Sequence, residues 1–376
     1  MWHSEGKVFV VAEIGQNHQG SVDVAKRMIQ TAKDCGADCV KFQRSTLAEK
    51  FTGAALARSY GGPHSWGQTY GQHKAFLEFT LDQYRELQRF ASEAGVLFTA
   101  SAMDMVSFRE LEEQLRVPFI KIGSGDADNV PLLRYAATRT RVPLVVSTGM
   151  QSWEQIQRIG NIFRGRNNVA LLHCISAYPT PPEDTMLRLI PLYRDRFPHL
   201  TVGYSGHELG VQLTVASVAL GARIIERHFT LDKTWKGTDH RASLDPPEFT
   251  RMVQYIRTIE GNPLKDTDCV EELLANVLDS SDYDGTELHS ALKKMHVEYR
   301  KMLQSERPCH NKLGKSLVYA KHYLAGHTLR EQDVAVKVSE PQGLSPWCYD
   351  SVVERTLRRT VALDDPVLER HFSMQP

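Results

Sequence analysis

Cysteine is sparse, at six in 376 residues, and no two are spaced as a CxxC pair. Cys35, Cys39, Cys174, Cys269, Cys309 and Cys348 are scattered along the chain, which argues against a disulfide framework. Cys35 and Cys39 flank a helix-to-strand junction and read as small buried residues of a reduced compartment. Net charge is absent too: 45 Lys and Arg balance 45 Asp and Glu, so no global field points to nucleic acid or to an acidic membrane. Long apolar runs are missing. The most apolar stretch, near 211–225, is broken by Gln212, Thr214, Ser217, Gly221 and Arg223, short of the roughly 18 residues a spanning helix needs. The early run from Val8 ends at Glu13, too soon for a secretory segment. A soluble, cytosolic chain without nucleic-acid or membrane partners is expected.

What is present is a long alternation of short β-branched runs with amphipathic helical patterns, the signature of repeated βα units. Strands are predicted at 8–14, 39–43, 97–101, 119–123, 144–148, 170–174, 201–205 and 223–228. Helices are predicted at 21–35, with Ser21 as N-cap, and at 81–94, where Leu81, Tyr84, Leu87 and Ala91 recur at helical spacing. Further helices are expected at 131–139, 153–163, 211–220 and 247–260. Eight such units in about 250 residues match a (β/α)8 TIM barrel, an α/β fold. A doubly wound open sheet is the competitor, but it usually has fewer strands, and no dinucleotide glycine fingerprint is present. The expected organisation is a barrel over 1–260, a linker over 261–310 and a small β-rich domain over 311–376. In the linker, Asp266, Asp268, Glu271, Glu272, Asp279, Asp282 and Asp284 precede a basic helical stretch, 287–307, with Leu288, Leu292, Met295 and Val297 as apolar anchors. The last domain offers β-prone runs at 316–320, 334–338 and 360–363. The glycine-rich, aromatic segment 45–74 reads as a lid or a subunit contact.

Functional groups of such barrels gather where strands meet the loops of the C-terminal face. Every predicted strand ends in polar residues there: Glu13 with Asn17 and His18, Lys41 with Gln43, Thr99 with Ser101, Lys121 with Ser124, Ser147 with Thr148, His173 with Ser176 and Tyr178, Ser205 with His207, and Glu226 with His228. His207 and His228 end neighbouring strands and are candidate ligands for a divalent cation acting as a Lewis acid. Lys41, Lys121, Ser101, Ser124 and Ser205 suit a phosphate or carboxylate, so an anionic substrate is implied. Gly123, Gly125 and Gly149 would let backbone amides approach it. Lys121 fits equally well as the Schiff-base nucleophile of a barrel aldolase. Glu13 and Glu226, on strands that meet when the barrel closes, could move protons or orient a hydroxyl, or form salt bridges with Lys41 or Arg227.

The motifs narrow this choice. Ala-Glu-Ile-Gly-Gln-Asn-His (12–18), Val-Lys-Phe-Gln (40–43), Phe-Thr-Ala-Ser (98–101) and Lys-Ile-Gly-Ser-Gly-Asp (121–126) resemble the sialic acid synthase family. So do Ser-Thr-Gly-Met (147–150), Ser-Ala-Tyr-Pro (176–179), Gly-Tyr-Ser-Gly-His (203–207), Glu-Arg-His-Phe-Thr (226–230) and Lys-Gly-Thr-Asp-His (236–240), with His-Ser-Trp-Gly closer to the animal form. The resemblance resumes at Asn-Lys-Leu-Gly-Lys-Ser (311–316), and residues 325–334 look like the family's antifreeze-like (SAF) domain.

It implies condensation of phosphoenolpyruvate with a phosphorylated amino sugar, N-acetylmannosamine 6-phosphate, with the free sugar and mannose 6-phosphate as other acceptors. The methylene carbon of phosphoenolpyruvate would attack an open-chain aldehyde polarised by Mn2+ or Mg2+, and phosphate would leave by C–O cleavage. Glu13, Lys121 and Glu226 are then the expected catalytic set. Lys41, Gln43, Ser101, Ser124, Ser176, Tyr178, Ser205 and Asp239 are the substrate-binding set, and His207 and His228 the metal ligands. A domain-swapped homodimer is also implied. Bacterial members place an arginine in a Lys-Arg-Pro-Gly run where this chain has Lys337-Val338-Ser339-Glu340-Pro341, so that residue does not carry over. The readings left beside the synthase are the lysine aldolase and a non-catalytic binding barrel.

Overall fold

The protein is described from a computed structural model covering residues 6–261, 269–293 and 300–373. Eight parallel strands close into a barrel in chain order: β1 (Phe9–Gly15), β2 (Cys39–Arg44), β3 (Leu97–Ala102), β4 (Ile120–Ile122), β5 (Leu144–Ser147), β6 (Val169–Cys174), β7 (Thr201–Gly206) and β8 (Ile224–His228). β8 returns to β1, pairing Glu13 with His228, and no sheet edge remains within the barrel. The open-sheet alternative is thereby excluded.

Alternation along the strands sorts the side chains. Val10, Ala12, Val40, Phe42, Ile120, Ile122 and Val146 point outward into the layer beneath the helices. Val11, Cys39, Phe119, Val145, Ala170, Leu172 and Ile224 point inward and fill the barrel as a separate apolar plug. The next inward layer, two residues further along, is polar: Glu13 stands above Val11, Lys41 above Cys39, Lys121 above Phe119 and Glu226 above Ile224. Packing thus fixes the floor on which those groups stand.

The helices begin where side chains can cap them. Ser21 accepts from the Val24 amide at the start of the Val22–Asp34 helix. Thr80 and Gln83 form a capping box for Leu81–Ala94, which buries Tyr84, Leu87 and Ala91 and ends at left-handed Gly95. Residues 269–293 carry the helices Val270–Val277 and Gly285–Ala291, whose Val270, Leu274 and Leu288 are buried in the main core. Of the expectations for this region, Asp266, Asp268, Met295 and Val297 lie outside the described residues.

Beyond the helix Arg307–Leu313, β9 (Ser316–Tyr319) and β10 (Val334–Lys337) form a two-stranded antiparallel sheet. The third predicted run, 360–363, is not a strand. Val361 makes only an isolated bridge to Tyr323, and Asp364, with a left-handed φ of 66°, then redirects the chain onto β9, where Pro366 bridges Val318. This unit docks on the chain's own barrel. Arg134 grips Asp350 through two 2.6 Å bonds, the Trp347 indole donates to Gln151 at 3.1 Å, and the Arg158 guanidinium lies 4.4 Å over the Trp347 ring. Val338 packs among Phe51, Ala55 and Tyr70 of the 45–78 segment. No helix among the described residues is long and apolar enough to cross a membrane.

Candidate active site

Above the polar layer opens a cavity of about 800 Å³. That volume admits two small metabolites side by side. All thirteen residues singled out from the sequence as catalytic, substrate-binding or metal-ligating line it. Strand register is what gathers them. Glu13 pairs with Lys41, Gln43 with Ser101, Ser101 with Lys121, and Ser205 with Glu226, so residues far apart in sequence share one ring at the barrel mouth.

The ring is a charge network. The Lys41 ammonium lies 2.6 Å from Glu13 Oε2 and 3.7 Å from Glu226 Oε1, and donates to Ser101 Oγ at 2.9 Å. Lys121 donates to Glu226 Oε1 at 3.0 Å, and Ser205 Oγ donates to the same oxygen at 3.1 Å. Gln43 donates to Glu13 Oε1 at 2.8 Å. Burial would raise the Glu226 pKa, but the charges of Lys121 and Lys41 overcome it and hold the carboxylate at about 2. Burial dominates at Glu13 and pushes its carboxyl upward despite Lys41. Burial likewise draws Lys121 down, against the pull of Glu226. Two acids beside each other are therefore held differently, Glu226 as a firm anion and Glu13 closer to protonation. The Oε2 atom of Glu226 is buried without a hydrogen-bond partner.

The neighbouring wall belongs to β5 and β6. The Gly149 amide donates to Ser124 Oγ at 3.0 Å, and a Cβ at Gly149 would stand 2.1 Å from Ser176 Oγ and 2.6 Å from Ser124 Oγ. Only glycine lets the backbone come this close to the two hydroxyls. Ser147 Oγ is buried with no partner and borders the same space.

His207 and His228 face each other with ring centroids 5.3 Å apart, and Tyr178 lies 4.1 Å from His207 and 5.8 Å from His228. The His207 Nδ1 atom is 2.8 Å from the Ile175 carbonyl, which fixes it as the donor and leaves Nε2 as a lone-pair nitrogen. His228 keeps a buried Nδ1 without a hydrogen-bond partner, and its pKa falls to about 3, chiefly through burial. Burial would lower the His207 pKa, but Cys174 and the Ile175 carbonyl outweigh it and raise it. One imidazole oriented through Nδ1 and one held neutral with an unsatisfied nitrogen fit an open divalent site completed by substrate or water. No cluster of three or more His, Cys, Asp or Glu among the described residues would close such a site.

Several strand-end groups turn away from the cavity. His173 bonds the Thr185 carbonyl at 2.6 Å, Thr148 the Leu172 carbonyl at 3.0 Å, and Thr99 the Phe119 carbonyl. His18 stacks on Phe79 at 4.1 Å. Of the two salt-bridge partners foreseen for the acids, Lys41 holds but Arg227 does not: it pairs with Glu208 at 2.9 Å.

Residues the strand-end pattern did not reach complete the walls. The 45–78 segment brings Lys50, His64, Trp66, His73 and Lys74 to the cavity, and the Gly237 amide donates to His64 at 3.2 Å where this segment meets the loop after β8. Cys309, Lys312 and Lys315 come from the helix Arg307–Leu313 and the residues after it. Lys337 and Val338, where bacterial members carry their arginine run, do not line the cavity. The aromatic, glycine-rich character of 45–74 signals a functional loop; nothing local marks its lysines or Lys312 as site residues.

The comparisons with known proteins agree with this geometry. The chain is 49% identical to the N-acetylneuraminate-9-phosphate synthase of Drosophila melanogaster, over 96% of this chain and 95% of that one. It is 46% identical to the human protein of the same name, over 96% of this chain and 91% of that one. The crystal structure of the Bacillus subtilis spore coat polysaccharide biosynthesis protein SpsE superposes with a TM-score of 0.75 at 26% identity, covering 98% of this chain and 96% of that one. The NeuB family model matches residues 28–264, from the first barrel helix to just past β8 and its helix. With most of the barrel inside that match and relatives aligned along nearly the whole chain, the protein belongs to the NeuB family.

Proposed function

We propose that the protein condenses phosphoenolpyruvate with N-acetylmannosamine 6-phosphate and water to give N-acetylneuraminate 9-phosphate and inorganic phosphate. The observation that carries this reading is the adjacency, in one cavity, of the Lys41–Glu13 and Lys121–Glu226 pairs to the His207–His228 pair. It separates an anion-holding floor from a carbonyl-activating wall, as the reaction requires. The names of the fly, mouse and human relatives support the same product.

In this reading Lys41, Lys121, Ser101, Ser124, Ser176 and Ser205 hold phosphoenolpyruvate by charge and hydroxyl donation. Gln43, Asp239 and Tyr178 orient the sugar. Glu13, buried and drawn toward protonation, handles the proton of the aldehyde oxygen, while Glu226 keeps both lysines charged and directed inward. His207 and His228 would hold Mn2+ or Mg2+, which supplies Lewis-acid polarisation of the aldehyde when bound. Water adds at C2 of the former phosphoenolpyruvate, and phosphate departs from that carbon by C–O cleavage. A cytosolic location suits an enzyme using this three-carbon donor. The C-terminal unit forms a domain-swapped homodimer by exchanging its own docking contacts, among them Trp347–Gln151 and Arg134–Asp350, between two copies.

The test is phosphate release from phosphoenolpyruvate with N-acetylmannosamine 6-phosphate, with chelator and with manganese restored. Metal-dependent release that requires the sugar is expected; no release with any sugar and any divalent metal would sink the reading. A Schiff-base aldolase is the second reading, favoured by the burial that draws Lys121 down. Borohydride in the presence of substrate should trap no adduct at Lys121 or Lys41, and a trapped adduct would put the aldolase first.

A further inference from the structure

Among the described residues five lysines are buried, Lys41, Lys50, Lys74, Lys121 and Lys315, and all five line the cavity. Three have carboxylate partners: Lys41 has Glu13, Lys121 has Glu226 and Lys315 has Asp126. The other two do not. The Lys50 ammonium rests 2.8 Å from the Met103 thioether sulfur, and the Lys74 ammonium donates to the Gln16 side-chain carbonyl at 2.6 Å. Both partners are neutral, and a buried ammonium without a counter-charge destabilises the fold that contains it.

We propose that Lys50 and Lys74, joined by Lys312, form the subsite that holds the phosphate group of the sugar substrate. The inference rests on the proposed condensation and deepens it by naming what recognises the phosphorylated end of the acceptor.

The placement supports this assignment. Lys50 ends the short helix Leu47–Lys50, and Lys74 sits in the helix Tyr70–Leu77, whose N-terminus Thr69 and Gln72 close in a reciprocal capping box. Both belong to the segment that walls the cavity above the barrel floor. Lys312 approaches from the helix Arg307–Leu313, half-buried, with its ammonium 5.8 Å over the Tyr60 ring. The Lys74 ammonium is pushed down to about 7 by burial, then by the charges of Lys50 and Lys312, and Lys50 to about 8 by burial and Lys315. These ammoniums crowd one region and no carboxylate offsets them there as a direct partner. A phosphate dianion would relieve both the burial and the mutual repulsion, and lysines serve it as point charges. The floor lysines, committed to Glu13 and Glu226, are set apart from this cluster by their own acids. The acceptor sugar carries a single anionic group, at the end remote from its aldehyde, and the wall cluster offers it cations that the floor acids have not claimed.

The experiment measures kcat and KM of the full-length protein for N-acetylmannosamine 6-phosphate, free N-acetylmannosamine and phosphoenolpyruvate, in the wild type, Lys50→Met, Lys74→Met and Lys74→Arg. Each methionine variant should cut the kcat/KM preference for the phosphorylated over the free sugar by about tenfold, with the phosphoenolpyruvate KM moving less than about twofold. Lys74→Arg should keep most of the preference. An unchanged preference, or a loss carried by the phosphoenolpyruvate KM, would overturn the assignment. If the wild type turns over neither sugar, the proposed reaction fails, and the subsite is judged by calorimetric binding of mannose 6-phosphate and inorganic phosphate. Binding to the wild type that weakens about tenfold in Lys74→Met upholds the subsite, and equal binding or none overturns it. Should Lys74→Met fail to fold by circular dichroism, Lys74→Gln and Lys50→Met carry the same comparison.

Discussion

Lys121 and Glu226 are separated by 105 residues of sequence and by 3.0 Å in space, and the same carboxylate oxygen also accepts from Ser205. Glu226 thus lets two buried lysines remain charged beneath the cavity. Replacing it with glutamine should lower stability by about 3 kcal/mol, because an uncompensated buried charge remains. Turnover should fall by at least about 100-fold. Adding phosphoenolpyruvate should narrow the gap in melting temperature, since the ligand restores the missing negative charge. A ligand-independent gap would contradict this role.

The sign of its pH dependence follows. The folded carboxylate titrates at about 2, below its ordinary 4.5. The stability contributed by Glu226 is complete above about pH 4.5 and is lost as pH falls through about 2. In Glu226→Gln, acid unfolding should lose this component over that window, measurable by circular dichroism.

His228→Ala should abolish turnover and leave the fold intact. Binding of Mn2+, followed by electron paramagnetic resonance, should weaken by about tenfold or more in the variant. Wild-type turnover in His228→Ala would remove it as an essential ligand.

Gly149→Ala should raise the phosphoenolpyruvate KM by about tenfold, because the new methyl must displace the Ser124 and Ser176 hydroxyls that border it. The sugar KM should move much less. A variant with unchanged KM for both would show that these hydroxyls do not touch the substrate.

Lys74 predicts a stability trade. Its pKa of about 7 lies below the ordinary 10.5, so the cost of holding its charge is full below about pH 7 and disappears toward pH 10.5. Around it Lys50 and Lys312 repel, and Asp239 and Glu78 attract. Lys74→Met should therefore raise the melting temperature of the ligand-free protein at pH 6 by about 2 °C or more, and by less at pH 9. The wild-type KM for the phosphorylated sugar should rise above about pH 7 as the ammonium loses its proton.

Much of the barrel and its ring of polar groups was legible in the sequence, because β periodicity and strand ends are local properties. Val10 and Ala12 alternate with Val11 and Glu13 in the sequence as they do between helix layer and interior. Partnering was not legible. Nothing near Arg227 announces Glu208 as its partner in place of Glu226, and nothing near Lys74 announces that its charge goes unmatched. Such facts depend on which segments fold over the mouth. The run 360–363 has strand composition, yet it makes one isolated bridge before left-handed Asp364 redirects the chain onto β9.

Val338 exchanges two backbone hydrogen bonds with the 45–78 segment, donating to the Lys50 carbonyl at 2.8 Å and accepting from the Thr52 amide at 3.0 Å, while Lys337 reaches the Ala48 carbonyl at 2.7 Å. The stitch makes the C-terminal unit and one wall of the cavity a single moving part. Any opening that withdraws this wall must tear those bonds or carry the unit along, so substrate exchange and domain displacement share one coordinate. A cross-link that pins the C-terminal unit to the barrel would then slow the entry of metabolites it never contacts.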